Sequence, residues 1–173
     1  MRPIGRNQMK VETDHKLYFL AGKTSNKWNV YFDTINFNCE VKTDSPIFKL
    51  SYAATLLPNG IIVYMGGFDN NNLLTNFNEV YLYDTNNNKW ETKVTTGTIP
   101  PSDYGITSVL GLDGSLIIVF GGMINNNLQV LDITNYSWYV PKVSGKGPVH
   151  KRGEHTATVI GNYMVITFGK YIY

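Results

Sequence analysis

The chain has 173 residues, 43% hydrophobic, 13% aromatic and 16% charged, with a formal net charge of +2. That length supports one domain with a sizeable core, the apolar and aromatic content excludes a disordered chain, and a small charge with no dense Lys/Arg stripe argues against nucleic-acid binding. The single cysteine, Cys39, excludes an intramolecular disulfide, no apolar run reaches membrane-spanning length, and the N-terminus lacks the apolar centre of a signal peptide, which leans toward the cytoplasm without fixing a compartment.

In chain order the sequence divides into four units within one domain spanning 1–173, at about 3–48, 49–100, 101–147 and 148–173. The first is degenerate. It has a run from Lys16 to Ala21 closed by Gly22, a second run from Asn29 to Asp33, and Cys39 six residues further on; Arg6 to Val11 stands where its first strand is expected. The second is the clearest. Ser51 to Leu57 is followed by a Pro58-Asn59-Gly60 reversal, then Ile61 to Met65 closed by Gly66-Gly67, then Asn78 to Asp84, then Trp90. The third unit starts at about Tyr104 and turns at Asp113-Gly114. Leu116 to Phe120 is closed by Gly121-Gly122, and Asp132 and Trp138 follow at the same mutual spacing. The fourth runs from Arg152 through Ile160, then from Tyr163 to Gly169, and stops at Tyr173. Self-similarity at a period of about 50 residues marks repeated supersecondary units.

The apolar runs are short, rich in Val, Ile, Tyr, Phe and Thr, and separated by turn residues, which predicts strands. No stretch sustains a helical period with caps, so almost no helix is expected. The glycines closing each run allow positive φ and close backbone approach. Trp90 and Trp138 suit the space between neighbouring units. Asp84 and Asp132 suit turns, as do the Asn runs 70–72, 86–88 and 125–127 in predicted connections.

These marks resemble the kelch repeat, in which each unit is a four-stranded antiparallel blade of a β-propeller. The resemblance covers nearly the whole chain and implies an all-β fold of about three to four blades, the last incomplete. Gly22, Gly66, Gly67, Trp90, Gly121, Gly122, Trp138 and Gly169 are the structural marks of the repeat. A kelch propeller usually closes with more blades, so a fragment, self-association or completion by missing blades is the expectation, because repeat units need neighbours to bury their cores.

Little in the sequence points to chemistry. Gly22-Lys23-Thr24 lacks the earlier glycine of a phosphate-binding loop, since Leu17 stands there, and no helix follows. His150, Glu154 and His155 fall short of a zinc set, with His15 and Cys39 in another unit. His155 and Arg152 are expected to bond backbone between blades. Asp69, Asp103 and Asp113 lie beside turn residues and need no catalytic explanation. No cofactor, metal site or catalytic residue is predicted. Asn135-Tyr136-Ser137 is a sequon near chance frequency in an Asn-rich chain.

The resemblance implies a non-catalytic module that binds another protein through loops converging on one face. Those loops carry Lys23 to Lys27, Phe68 to Asn72, Met123 to Asn127, Ser102 to Tyr104, and Lys151 to Arg152. Phe68, Asp69, Asn70, Tyr104, Met123, Asn125 and Arg152 are the candidate contact residues, with Tyr104 and Arg152 as anchors because Tyr and Arg dominate hot spots. Two alternatives stay open: a lectin-like module that binds glycans by stacking on Tyr and Trp, and a remnant of a galactose-oxidase-like copper enzyme, for which Cys39 would be the sole cysteine available to a Tyr cross-link.

Overall fold

Runs in which β-branched and aromatic residues alternate with polar ones can bury one or both faces as strands. In a computed structural model of the chain every regular element among the described residues is a β-strand. The described residues are 10–11, 16–21, 28–42, 45–47, 49–125, 127–145, 147 and 150–172. His15, Gly22 and the loop 23–27 lie outside them, as does most of the segment 6–11. No helix of the described residues is long and apolar enough to cross a membrane.

The first sheet holds β1 (Lys10–Val11), β2 (Lys16–Ala21), β3 (Trp28–Asp33) and β4 (Cys39–Lys42), in that order. The second holds β5 (Ala53–Leu56), β6 (Ile61–Met65), β7 (Glu79–Asp84) and β8 (Lys89–Val94). Both are antiparallel meanders, with pairs such as Val63↔Leu82 and Tyr83↔Trp90 fixing the register of the second. The short β9 (Thr96–Gly97) then leaves its own unit. It pairs in parallel with the outermost strand of the next sheet, which runs β10 (Thr107–Leu110), β11 (Leu116–Phe120), β12 (Leu128–Asp132), β13 (Ser137–Tyr139) and then β9. The link between units therefore covers an edge whose N–H and C=O groups would otherwise be unpaired. In the last unit β14 (Lys151–Gly153) pairs with β17 (Lys170–Ile172), and β15 (Thr156–Ile160) with β16 (Tyr163–Thr167).

The innermost strands β5, β10 and β15 lie side by side, as kelch-type blades arranged about an axis require. Core forms between sheets. One face of the second sheet buries Val63, Met65, Val80 and Leu82 against Ile117, Val119, Leu131 and Trp138 of the third. Its other face buries Ile62, Tyr64 and Tyr83 near Tyr18 and Tyr31 of the first. Alternation along each strand supplies both faces, so this sheet is covered on both sides.

The repeat marks have distinct physical jobs. Trp138 is buried, edge-on to Phe77 at 5.5 Å, and its Nε1 donates to the Phe77 carbonyl at 3.2 Å. Trp90 is half-buried over Tyr64 and Tyr83. Cys39, at the matching position of the first unit, is exposed. Asp33, Asp84 and Asp132 each accept backbone N–H bonds within the following turn. Asn72 and Asn88 take positive φ in such turns, which Asn tolerates better than most residues.

Candidate functional site

A bonding pattern repeated from unit to unit builds one face of the molecule. Ser51, Gly105 and Glu154 each stand just before an inner strand, with φ of 53°, 66° and 55°. The Gly105 N–H donates to the Ser51 carbonyl at 2.9 Å, and the Glu154 N–H to the Gly105 carbonyl at 2.8 Å. The second glycine of each pair adds a link of its own: Gly67 N–H donates to the Asp103 carbonyl at 2.9 Å, and Gly122 N–H to the Arg152 carbonyl at 2.8 Å. At Gly122, with φ of 130°, a side chain would run into the Asp103 carboxylate, so the close approach requires glycine. These bonds bring the loops after β6 and β11 against the segments that enter β10 and β15.

Two residues ahead of each positive-φ position stands a charged residue that reaches the loop of its own unit. Lys49 is buried, and its ammonium donates to the Gly66 carbonyl at 3.0 Å and to Thr75 Oγ1 at 2.9 Å. Its Nζ also lies 5.1 Å from the Tyr81 ring centre. Burial pushes the Lys49 ammonium down to about 8. Asp103 is buried too. Its Oδ1 accepts from the N–H groups of Tyr104 and Ile124, and its Oδ2 from that of Asn125. Arg152 places its guanidinium 4.6 Å from the centre of the Tyr171 ring and donates to the Tyr171 hydroxyl at 2.8 Å. The sequence reading has Arg152 bonding backbone between blades, and its carbonyl does so by accepting from the Gly122 N–H. Its side chain stays within its own unit, where Tyr171 offers both a ring face and a hydroxyl.

Phe68 and Tyr104 come from different units and meet with ring centres 4.5 Å apart, both half-buried. Met123 joins them, its N–H donating to the Tyr104 carbonyl at 3.0 Å. Asp69 serves its own turn, accepting from Asn71 and Leu73 N–H groups at 2.9 Å, and Asn70 is exposed beside it. Asn125 sits on the Asp103 carboxylate by its backbone, and Lys151 Nζ donates to the Ile124 carbonyl at 2.9 Å. Phe68, Tyr104, Met123 and Asn125 thus share one rim, and Arg152 borders it. Loops 57–60 and 84–88 meet at the opposite end of the sheet, where Thr85 Oγ1 donates to the Gly60 carbonyl at 2.7 Å.

His155 is buried between inner strands, its Nε2 within 2.7 Å of Thr107 Oγ1 and its ring edge-on to Phe120. Burial, with Arg152 nearby, pushes its imidazole down from the usual histidine range. His150 lies edge-on to Tyr171. Among the described residues no group of three or more His, Cys, Asp and Glu side chains is placed to hold a metal ion.

The sequence reading places Asp103 beside turn residues without seeing the loop it anchors, and it misses Lys49, because one repeat position carries Lys, Asp and Arg in turn and no residue identity repeats. It also passes over Leu73 and Ile124, exposed apolar residues on the rim loops, and Gln129, whose burial follows from its place on β12.

Residues 51–172 match the family model described as the KLHDC2/KLHL20/DRC7 kelch-repeats domain. The chain is 32% identical over 146 residues to Host cell factor of Drosophila melanogaster, a match covering 74% of this chain and 10% of the relative. It is 32% identical over 132 residues to the Rho GTPase-activating protein gacHH of Dictyostelium discoideum, covering 73% and 8%. It is 25% identical over 131 residues to Kelch domain-containing protein 3 of Rattus norvegicus, covering 72% and 33%. The chain therefore spans about a third or less of the length of these curated relatives.

Proposed function

The chain belongs to the kelch-repeat family, and from that premise we propose that it is a non-catalytic module that binds another protein through the rim formed by the loops after β6 and β11 and the segments entering β10 and β15. The observation that carries the reading is the Phe68–Tyr104 pair. Two aromatic rings from adjacent units are held together by backbone bonds and left partly open to solvent. Half-exposed aromatics on a rigid frame offer large contact area at small entropic cost, which is the character of interface anchors. Leu73 and Ile124, 63% and 41% exposed, extend the apolar surface on the same loops. Asn70, Asp69 and Lys151 supply a polar border.

Affinity capture with the intact chain tests this, comparing wild type, Tyr104→Ala and Leu112→Ala. Leu112 is 70% exposed on a connection at the opposite end of the sheets. Tyr104→Ala is expected to lower recovery of the bound protein about ten-fold or more, with melting temperature nearly unchanged, while Leu112→Ala leaves recovery intact. Equal losses for the two variants, or a loss that follows a fall in melting temperature, would return Tyr104 to a packing role.

A further inference from the structure

Lysine is rarely buried without a charged partner, because an ammonium loses its hydration there. Lys49 is 2% exposed, and the groups its ammonium meets are neutral: the Gly66 carbonyl at 3.0 Å, Thr75 Oγ1 at 2.9 Å and the Tyr81 ring at 5.1 Å. Asp69 on the loop and Glu79 on β7 favour the charge through space, but burial outweighs them. An apolar side chain of similar length would avoid that cost. The ammonium does join something, however. Gly66 and Thr75 are the two ends of the loop that carries Phe68 and Leu73 to the rim. Thr75 also donates its N–H and its hydroxyl to the Gly67 carbonyl, at 2.9 and 3.1 Å, so the ammonium closes the loop across its base. At the matching positions Asp103 accepts from Ile124 and Asn125 of the loop after β11, and Arg152 donates to Tyr171 after β16. One position thus carries a charge in three units, each time bonded to the loop of its own unit.

We propose that Lys49 is a positioning residue of the binding rim, whose positive charge fixes the loop 66–75 so that Phe68 stands against Tyr104 and Leu73 stays presented to the partner. The inference rests on the rim being the partner-binding face, and adds what governs that face: the rim is firm while Lys49 is charged and slackens when the charge is lost. Hydrogen bonds from an ammonium are roughly twice as strong as those from a neutral amine, and the attraction to the Tyr81 face goes with the charge. Burial places the loss near pH 8. Tyr81, whose hydroxyl donates to Glu79, stays protonated there, its own value pushed up to about 12. The same charge weakens the fold. The unfolded chain holds this proton up to the ordinary lysine value of about 10.4, so the folded state gains stability as pH rises from 8 toward that value. Firmness of the rim and stability of the fold therefore move in opposite directions, whereas a lysine that merely fills space would move stability alone.

The test is NMR of the intact chain, following the Leu73 methyl signals and the Asp69 and Thr75 amide signals from pH 7 to about pH 9.5, a range that spans the expected loss of charge. In wild type the loop signals are expected to shift together with a midpoint near 8, and in Lys49→Met to show no such step. Lys49→Met is expected to melt at the wild-type temperature or above it, yet to recover at least ten-fold less bound protein at pH 7. Thr75→Val removes one of the two oxygens that hold the ammonium and is expected to move the midpoint below that of wild type, which carries the test if Lys49→Met folds poorly. Loop signals that stay fixed through the pH series, a step that persists in Lys49→Met, an unmoved midpoint in Thr75→Val, or wild-type capture by Lys49→Met would overturn the proposal. Because the loop signals are read without any partner, they can stay fixed while Tyr104→Ala still abolishes capture, and the two readings fail separately.

Discussion

The segments 51–57 and 154–160 hold the same place in their units and differ in almost everything that burial decides. Ala53, Ala54 and Thr55 on β5 are all buried, whereas β15 alternates between exposed and half-buried along its whole length. Leu57 is 5% exposed and its counterpart Ile160 is 60% exposed. Both stretches are rich in β-branched and small residues, and both form an inner strand paired to the next. The difference comes from neighbours: β5 belongs to a sheet with sheets on both faces, whereas among the described residues β15 forms a two-stranded sheet with β16 and packs beside β10. In a repeat of this kind a strand's sequence fixes its shape, and the adjoining unit fixes how much of it is removed from water.

The junction between the second and third sheets should therefore be the most sensitive part of the molecule. Trp138→Ala deletes a fully buried indole, its edge contact with Phe77 and its bond to the Phe77 carbonyl. A loss of about 3–5 kcal/mol is expected from urea unfolding, with the denaturant slope unchanged. Trp90→Ala, at the matching position but half-buried, is expected to cost roughly half as much. Equal costs would mean that the first and second sheets pack as tightly as the second and third.

The junction between β10 and β15 carries a smaller effect that depends on pH. The imidazole of folded His155 is held below the usual histidine range, because burial disfavours its charged form and Arg152 adds to that. The unfolded chain takes up the proton first, near the ordinary histidine value of about 6.5. The stabilisation is complete above that value and is lost as pH falls below it. Melting temperature should drop between pH 7 and pH 5.5 in wild type, and less steeply in His155→Gln, which keeps a polar group near Thr107. Parallel curves for the two proteins would show that the imidazole is already solvated at this junction.

The blades could be read from the sequence because their marks are local. Double glycines, Asp-led turns and the spacing from Asp84 to Trp90 and from Asp132 to Trp138 need no knowledge of a neighbour. The rim was legible only where residue type suggests contact, as at Phe68 and Tyr104. The groups that hold it were legible only in part: Arg152 stands out in the sequence, but the position it shares with Lys49 and Asp103 does not. Lys49, Asp103 and Arg152 share one position but differ in charge, and each solves the anchoring of its own loop with what that loop offers: carbonyl and hydroxyl oxygens, backbone N–H groups, or a tyrosine. Glu154 and Ser51 adopt a conformation that favours glycine, and only Gly105 among the three announces it. β9 crosses to the next sheet because an outer edge needs covering, and nothing in Thr96-Gly97 signals that destination.

The smallest expected effect is the sharpest check on the opening contrast. Ile160→Ala removes three carbons from a side chain that already meets water, so its cost should stay within about 0.5 kcal/mol. Tyr163, opposite it in the β15–β16 register and 75% exposed, should behave alike on truncation to Ala. Both substitutions are read by thermal unfolding against wild type. A loss at Ile160 comparable with that expected for a core leucine such as Leu57 would mean that this hairpin is covered in solution by a surface the chain finds elsewhere, in a second copy or another polypeptide. The contrast between the two inner strands would then be one of which neighbour supplies the cover, with both strands equally buried.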